Sequence, residues 1–151
     1  MKYLFTTLFL LLLQGCSYKN AYTFFQMDKE EELYETNTLN AKIQLQSEVL
    51  GILSVTYLND VDKNLTTDDE QFLVSIFLKE KQRKYNFTLN GKKPLKIKKI
   101  TKEGRYTKLL AKQSQWSQDS IVTFEKSSND LNLTFYTYPS ILVPMNFLKE
   151  Q

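Results

Sequence analysis

The chain contains no histidine. That absence removes the commonest general base, the Ser-His and Cys-His nucleophile pairs, and the usual zinc ligand together. What remains is a carboxylate pair of the glycosidase kind, held about 5 to 9.5 Å apart, or a Ser-Lys arrangement. Neither has a recognisable signature in these residues. DVDKNLTTDDEQ, residues 60–71, starts as a calcium loop does, with Asp60, Asp62 and Asn64 at its first, third and fifth positions. The pattern then fails, because Leu65 holds the sharp-turn glycine position and Gln71 the place of the bidentate glutamate. The stretch reads as an acidic turn, and no metal or other cofactor is expected. Trp116 sits in QSQWSQ, a large apolar side chain among polar neighbours. The commoner fate of such a residue is to fold back as a lid on the core. The functional alternative is a sugar-stacking or partner-binding residue on a loop.

Charge is unevenly distributed. Residues 28–70 carry eleven acids and three lysines, whereas residues 79–112 carry thirteen basic side chains and two acids. Lys92, Lys93, Lys96, Lys98, Lys99 and Lys102 form the centre of the basic stretch. On the plainer reading they are the solvated face of an antiparallel sheet, where charge also discourages edge-to-edge pairing. On the functional reading they meet anionic headgroups, lipopolysaccharide phosphates or an acidic partner, each exposed cation near an anionic leaflet adding about 1 kcal/mol.

The only cysteine, Cys16, follows Leu13, Gln14 and Gly15 at the end of an apolar run. Lys2 supplies a positive beginning, Leu4 to Leu13 an apolar stretch broken only by Thr6 and Thr7, and Gly15 a small residue at the cleavage point. Tyr3 to Leu13 would span roughly 16 Å as helix, against a hydrocarbon core about 30 Å thick, so an ordinary transmembrane segment is excluded. Leu13-Gln14-Gly15-Cys16 resembles the lipobox of bacterial lipoproteins, with Gln14 standing where that family more often has a small residue. The resemblance covers the signal alone. It implies that residues 1–15 are removed, that the Cys16 sulfur is joined to a diacylglycerol, and that the new amino group is acylated. Two or three chains, at about 0.8 kcal/mol per buried methylene, make such an anchor effectively permanent. It also implies a cell-envelope address, with Ser17 rather than an aspartate after the cysteine pointing to the outer membrane, facing the periplasm. Nucleic acid is not an expected partner, since the signal exports the chain and no nucleic-acid module is present. Asp62-Lys63-Asn64-Leu65-Thr66 and Asp130-Leu131-Asn132-Leu133-Thr134 resemble the acidic-extended glycosylation sequon that some bacteria use, and Asn64, in a turn, is the better acceptor.

Elements must carry these residues. Removal of residues 1–15 leaves 136 of 151, enough for one domain with a sizeable core. No cysteine remains for disulfides, so packing alone must hold an exported domain, and ten phenylalanines, nine tyrosines and Trp116 are ample for that. Residues 16–26 form a lipidated N-terminal segment. Its aromatic Tyr22, Phe24 and Phe25 are expected to pack on the domain or on headgroups. The domain occupies residues 27–151. Asp28 with Glu31 three residues on looks like a capping box and predicts a helix over 28–38. From Ala41 to Leu58 apolar residues alternate, with both parities apolar after Glu48, which predicts one strand whose later half is covered on both faces. QFLVSIFLKEK predicts a further strand. KYNFTLNGKKPLKI predicts a hairpin at Asn90-Gly91, whose return strand Leu95–Ile100 is confined by Pro94 to an edge or bulge. SIVTFEK and LNLTFYTY, either side of SSND, predict a second hairpin, and SILVPMNFLK a last edge strand.

About seven short strands and one early helix favour an antiparallel β-sandwich, immunoglobulin-like or transthyretin-like, over a small β-barrel. With the lipobox and the missing catalytic inventory, the expected function is a non-enzymatic, lipid-anchored module that binds or assembles another envelope component; its membrane contact is the N-terminal lipid and its partner an envelope protein. The alternatives are a lipid or small-molecule carrier with an internal cavity, and an envelope glycan-acting enzyme using carboxylates.

Overall fold

The computed structural model describes residues 29–62, 64–65, 67–80, 84–101, 106, 109–110, 116–138 and 141–149. Cys16 and the lipobox, the segment 16–26, Asp28 and Lys102 lie outside the described residues.

Helix α1 (Lys29–Thr36) opens with Glu30, Glu31 and Glu32, acids suited to the positive end of the helix dipole. It stops two residues short of the expected boundary. The last-turn carbonyls of Glu32, Leu33 and Tyr34 accept hydrogen bonds from the side chains of Thr36 (2.9 Å), Asn37 (3.0 Å) and Thr38 (2.6 Å). Short polar side chains thereby satisfy helix-end carbonyls and release the chain into a strand.

The single strand expected over 41–58 is a hairpin. Strands β1 (Thr38–Leu45) and β2 (Glu48–Tyr57) pair antiparallel around Gln46 and Ser47, with Gln46 at φ 56°. Ile43 opposes Gly51 and Gln44 opposes Val49, so Leu50 is an extra, bulged residue. The bulge shifts the side-chain parity, which is why Leu50 and Leu53 both face the core. This produces the doubly apolar pattern that reads as one central strand.

A single helical turn, α2 (Leu58–Val61), leads to β3 (Glu70–Leu78), which is followed by β4 (Tyr85–Leu89) and β5 (Lys96–Lys99). Strands β6 (Gln118–Phe124), β7 (Asp130–Thr137) and β8 (Ile141–Leu148) complete the fold. They form two antiparallel sheets, β1-β2-β3-β6-β5 and β4-β7-β8. The fold is a β-sandwich, and the sheets do not close into a barrel.

Two predicted hairpins resolve differently. Asn90 (φ 48°) and Gly91 (φ 80°) do make a tight turn, closed by reciprocal backbone bonds of 2.9 Å between Leu89 and Lys92. The next bonded pair of that ladder would need a donor from Pro94, which has none. The chain therefore leaves β4, and β5 pairs with β6 on the edge of the other sheet. SIVTFEK and LNLTFYTY do not pair at all: β6 lies between β3 and β5, and β7 between β4 and β8. Residues 125–129 carry the chain from one sheet to the other. The last strand is an edge as expected, with Pro144 on β8 and Ile141, Val143, Met145 and Phe147 facing inward.

Between the sheets lies one core. The larger sheet contributes Leu53, Val55, Phe72, Val74 and Phe124, and the smaller Phe87, Leu133, Phe135 and Phe147. Phe72 and Phe124 meet edge to face, with ring centres 5.9 Å apart. A second cluster of Tyr34, Leu58, Val61, Leu109 and Leu110 packs with Leu73 on the outer face of the larger sheet. That face is thus covered over one part and open over the rest.

Candidate functional site

The open part of the outer face is built by register. Asn40, Ser54, Ser75 and Asp119 are directly opposed on β1, β2, β3 and β6, a polar row crossing four strands. The adjacent row holds Lys42, Ile52 and Phe77. On the other flank Thr56 and Leu73 run toward the second cluster. Trp116, just before β6, stands over the sheet. Together Asn40, Ile52, Ser54, Ser75, Phe77 and Trp116, with Ser117, line a groove of about 350 Å³.

Its walls and floor differ in chemistry. Ile52, Phe77 and Trp116 are exposed apolar groups, Trp116 at 59 %. The floor is hydroxyl and amide. Ser75 is only 5 % exposed, and its Oγ has no hydrogen-bond partner among the described residues. A buried hydroxyl in that state costs about 1 to 3 kcal/mol relative to a satisfied one. Beside it the Ser117 hydroxyl donates to Asp119 Oδ1 at 2.9 Å. Among the described residues lining the groove there is no formal charge.

Trp116 is therefore no lid on the core between the sheets; it borders an open groove. Five of the six basic residues singled out in the sequence lie among the described residues, on β5 and on the connection that precedes it. Lys96 and Lys98 of β5 oppose Thr123 and Ile121 of β6 on the outer face of the larger sheet, whereas Lys99 has the opposite parity. Lys92 and Lys93 sit on the β4–β5 connection, and Lys92 lies 3.4 Å from Glu125. All four residues of β5 are exposed on an open sheet edge. Asn64 is exposed in a turn, its backbone N–H bonding Asp62 Oδ1 at 3.1 Å. Asp62 also accepts from the Tyr106 hydroxyl at 3.2 Å. No group of three or more His, Cys, Asp or Glu side chains that could hold a metal occurs among the described residues.

Glu70 is the residue that sequence reading passed over. It is 1 % exposed at the start of β3, yet each oxygen is engaged. The Tyr57 hydroxyl donates to Oε2 at 2.7 Å, while Ser127 N (2.7 Å) and Lys149 Nζ (2.6 Å) donate to Oε1. Lys149 also donates to the Ser127 carbonyl at 2.9 Å. Burial, and then the bond to Glu70 and its charge, push the Tyr57 phenol far above its usual range. The cluster ties β2, β3, the inter-sheet connection and the end of β8 together. Its signal was parity, because Glu70 is in phase with Phe72, Val74 and Ile76 and so must point inward.

No protein-family model, curated protein or solved structure matches this chain.

Proposed function

We propose that this protein is a lipid-anchored cell-envelope module that binds another envelope component without catalysis, using the groove under Trp116. One observation carries the reading. An exposed tryptophan, two further apolar side chains and a row of polar residues converge on a face another part of which is covered by the protein's own second cluster. Such a combination of apolar walls with a few placed polar groups is what ligand sites present. Binding is favoured over turnover because the described lining is made of apolar, hydroxyl and amide side chains, and the neighbouring Asp119 already accepts a hydrogen bond from Ser117. A module that binds on its face is favoured over an internal carrier because bulky side chains from both sheets fill the space between them.

The lipobox supplies the address in this reading. Acylated Cys16 holds the domain at the outer membrane, facing the periplasm. Cell fractionation of wild type and Cys16→Ser tests the anchor. Wild type should sediment with membranes and resist high salt, and Cys16→Ser should not be acylated when cells are fed a labelled fatty acid. Equal labelling of both would overturn the anchor. Photo-crosslinking in intact cells from position 77 tests the groove. It should capture an envelope component that crosslinking from exposed position 146, on the opposite sheet, does not. The same products from both positions would contradict the assigned surface.

A further inference from the structure

We propose that the groove takes a neutral saccharide one or two rings long, stacked on the Trp116 indole and hydrogen-bonded by Asn40, Ser54 and Ser75. This rests on the binding-module reading and specifies the ligand. A sugar ring has two unlike surfaces: C–H groups on its faces and hydroxyls around its rim. The groove offers the complement of both, with Trp116, Phe77 and Ile52 for the face, and two serine hydroxyls and an amide for the rim.

Four properties of the groove narrow the choice. Its described lining carries no formal charge, so an ionic ligand would lose hydration with no opposite charge among those side chains to replace it. Ser75 Oγ is shielded from the groove in its present rotamer, and a turn about χ1 would bring it to a ligand; a purely apolar ligand would leave it unsatisfied, whereas a sugar hydroxyl both donates and accepts. An extended peptide binds sheets by adding a strand at an open edge. The floor here belongs to β2 and β3, each paired on both sides, so their backbone groups are already committed to the ladders. Recognition must come from side chains. The volume of about 350 Å³ is at the small end of ligand sites, which run from about 300 to 1,000 Å³, and sets the limit of one or two rings.

Trp116 is the chain's single tryptophan, so its fluorescence reports on this groove alone. The mature, acylated protein in a detergent without a sugar headgroup is titrated with N,N′-diacetylchitobiose, with maltose, and with an uncharged Ser/Thr/Ala peptide. At least one sugar should give a saturable emission change and the peptide none. Ser75→Val and Asn40→Ala should each weaken binding about tenfold. Should Ser75→Val fail to fold, the exposed Asn40 decides. Failure of both sugars to saturate at millimolar concentrations, saturation by the peptide alone, or unchanged affinity in a folded variant would overturn the inference. Crosslinking from position 77 that still captures an envelope component would then leave the binding-module reading standing while the saccharide falls.

Discussion

Glu70 and Lys92 both face an opposite charge, at 2.6 Å and 3.4 Å, yet their surroundings make the two pairs energetically unlike. Glu70 is buried, so Lys149→Met leaves a charge without its counterion and should cost about 3 to 5 kcal/mol in urea unfolding. Lys92 and Glu125 are exposed to water, and Lys92→Ala should change stability by about 1 kcal/mol or less. Tyr57 adds a pH dependence. Its phenol is held above its ordinary value of about 10, so above that pH the unfolded chain releases a proton that the folded chain keeps. Alkali should therefore lower stability, and Tyr57→Phe should flatten that slope while lowering stability at neutral pH. An unaltered slope in the variant would contradict the burial of this hydroxyl.

At the scale of elements, the informative residues are those where backbone geometry overrides side-chain pattern. A Cβ on Gly51 would stand 2.3 Å from the Phe77 carbonyl oxygen in β3. Gly51→Ala should thus force β2 from β3 and cost about 1 to 3 kcal/mol, and thermal unfolding would reveal it. The open edge at β5 carries Lys96, Lys98 and Lys99. Replacing Lys96 and Lys98 by Val should promote self-association, measured by light scattering; a variant that stays monomeric would argue against charge as the guard of that edge. The inward strands were legible because Ile141, Val143, Met145 and Phe147 keep strict alternation. The β1–β2 turn was not, since Gln46 adopts its positive φ without the glycine or asparagine that ordinarily marks it. Nor was the divergence of β4 from β5 legible as a change of sheet, although Pro94 marked the point where pairing had to fail. The groove was only half legible. Trp116 stood out by type, but Ser54, Ser75 and Asn40 converge through cross-strand register, which local sequence does not encode.

Across the whole molecule, the described residues form a sandwich held by packing and by the buried Glu70–Lys149 ion pair. The twelve residues between Cys16 and α1 can span at most about 45 Å when extended. A lipid on Cys16 would therefore keep the domain close to one membrane surface and confine its ligand to that neighbourhood. The most direct test of this account is the intact mass and N-terminal peptide of the protein purified from its native membrane. The chain should begin at Cys16 and carry a diacylglycerol and an amide-linked acyl chain. A chain that retains residues 1–15, with the Cys16 thiol unmodified, would contradict it.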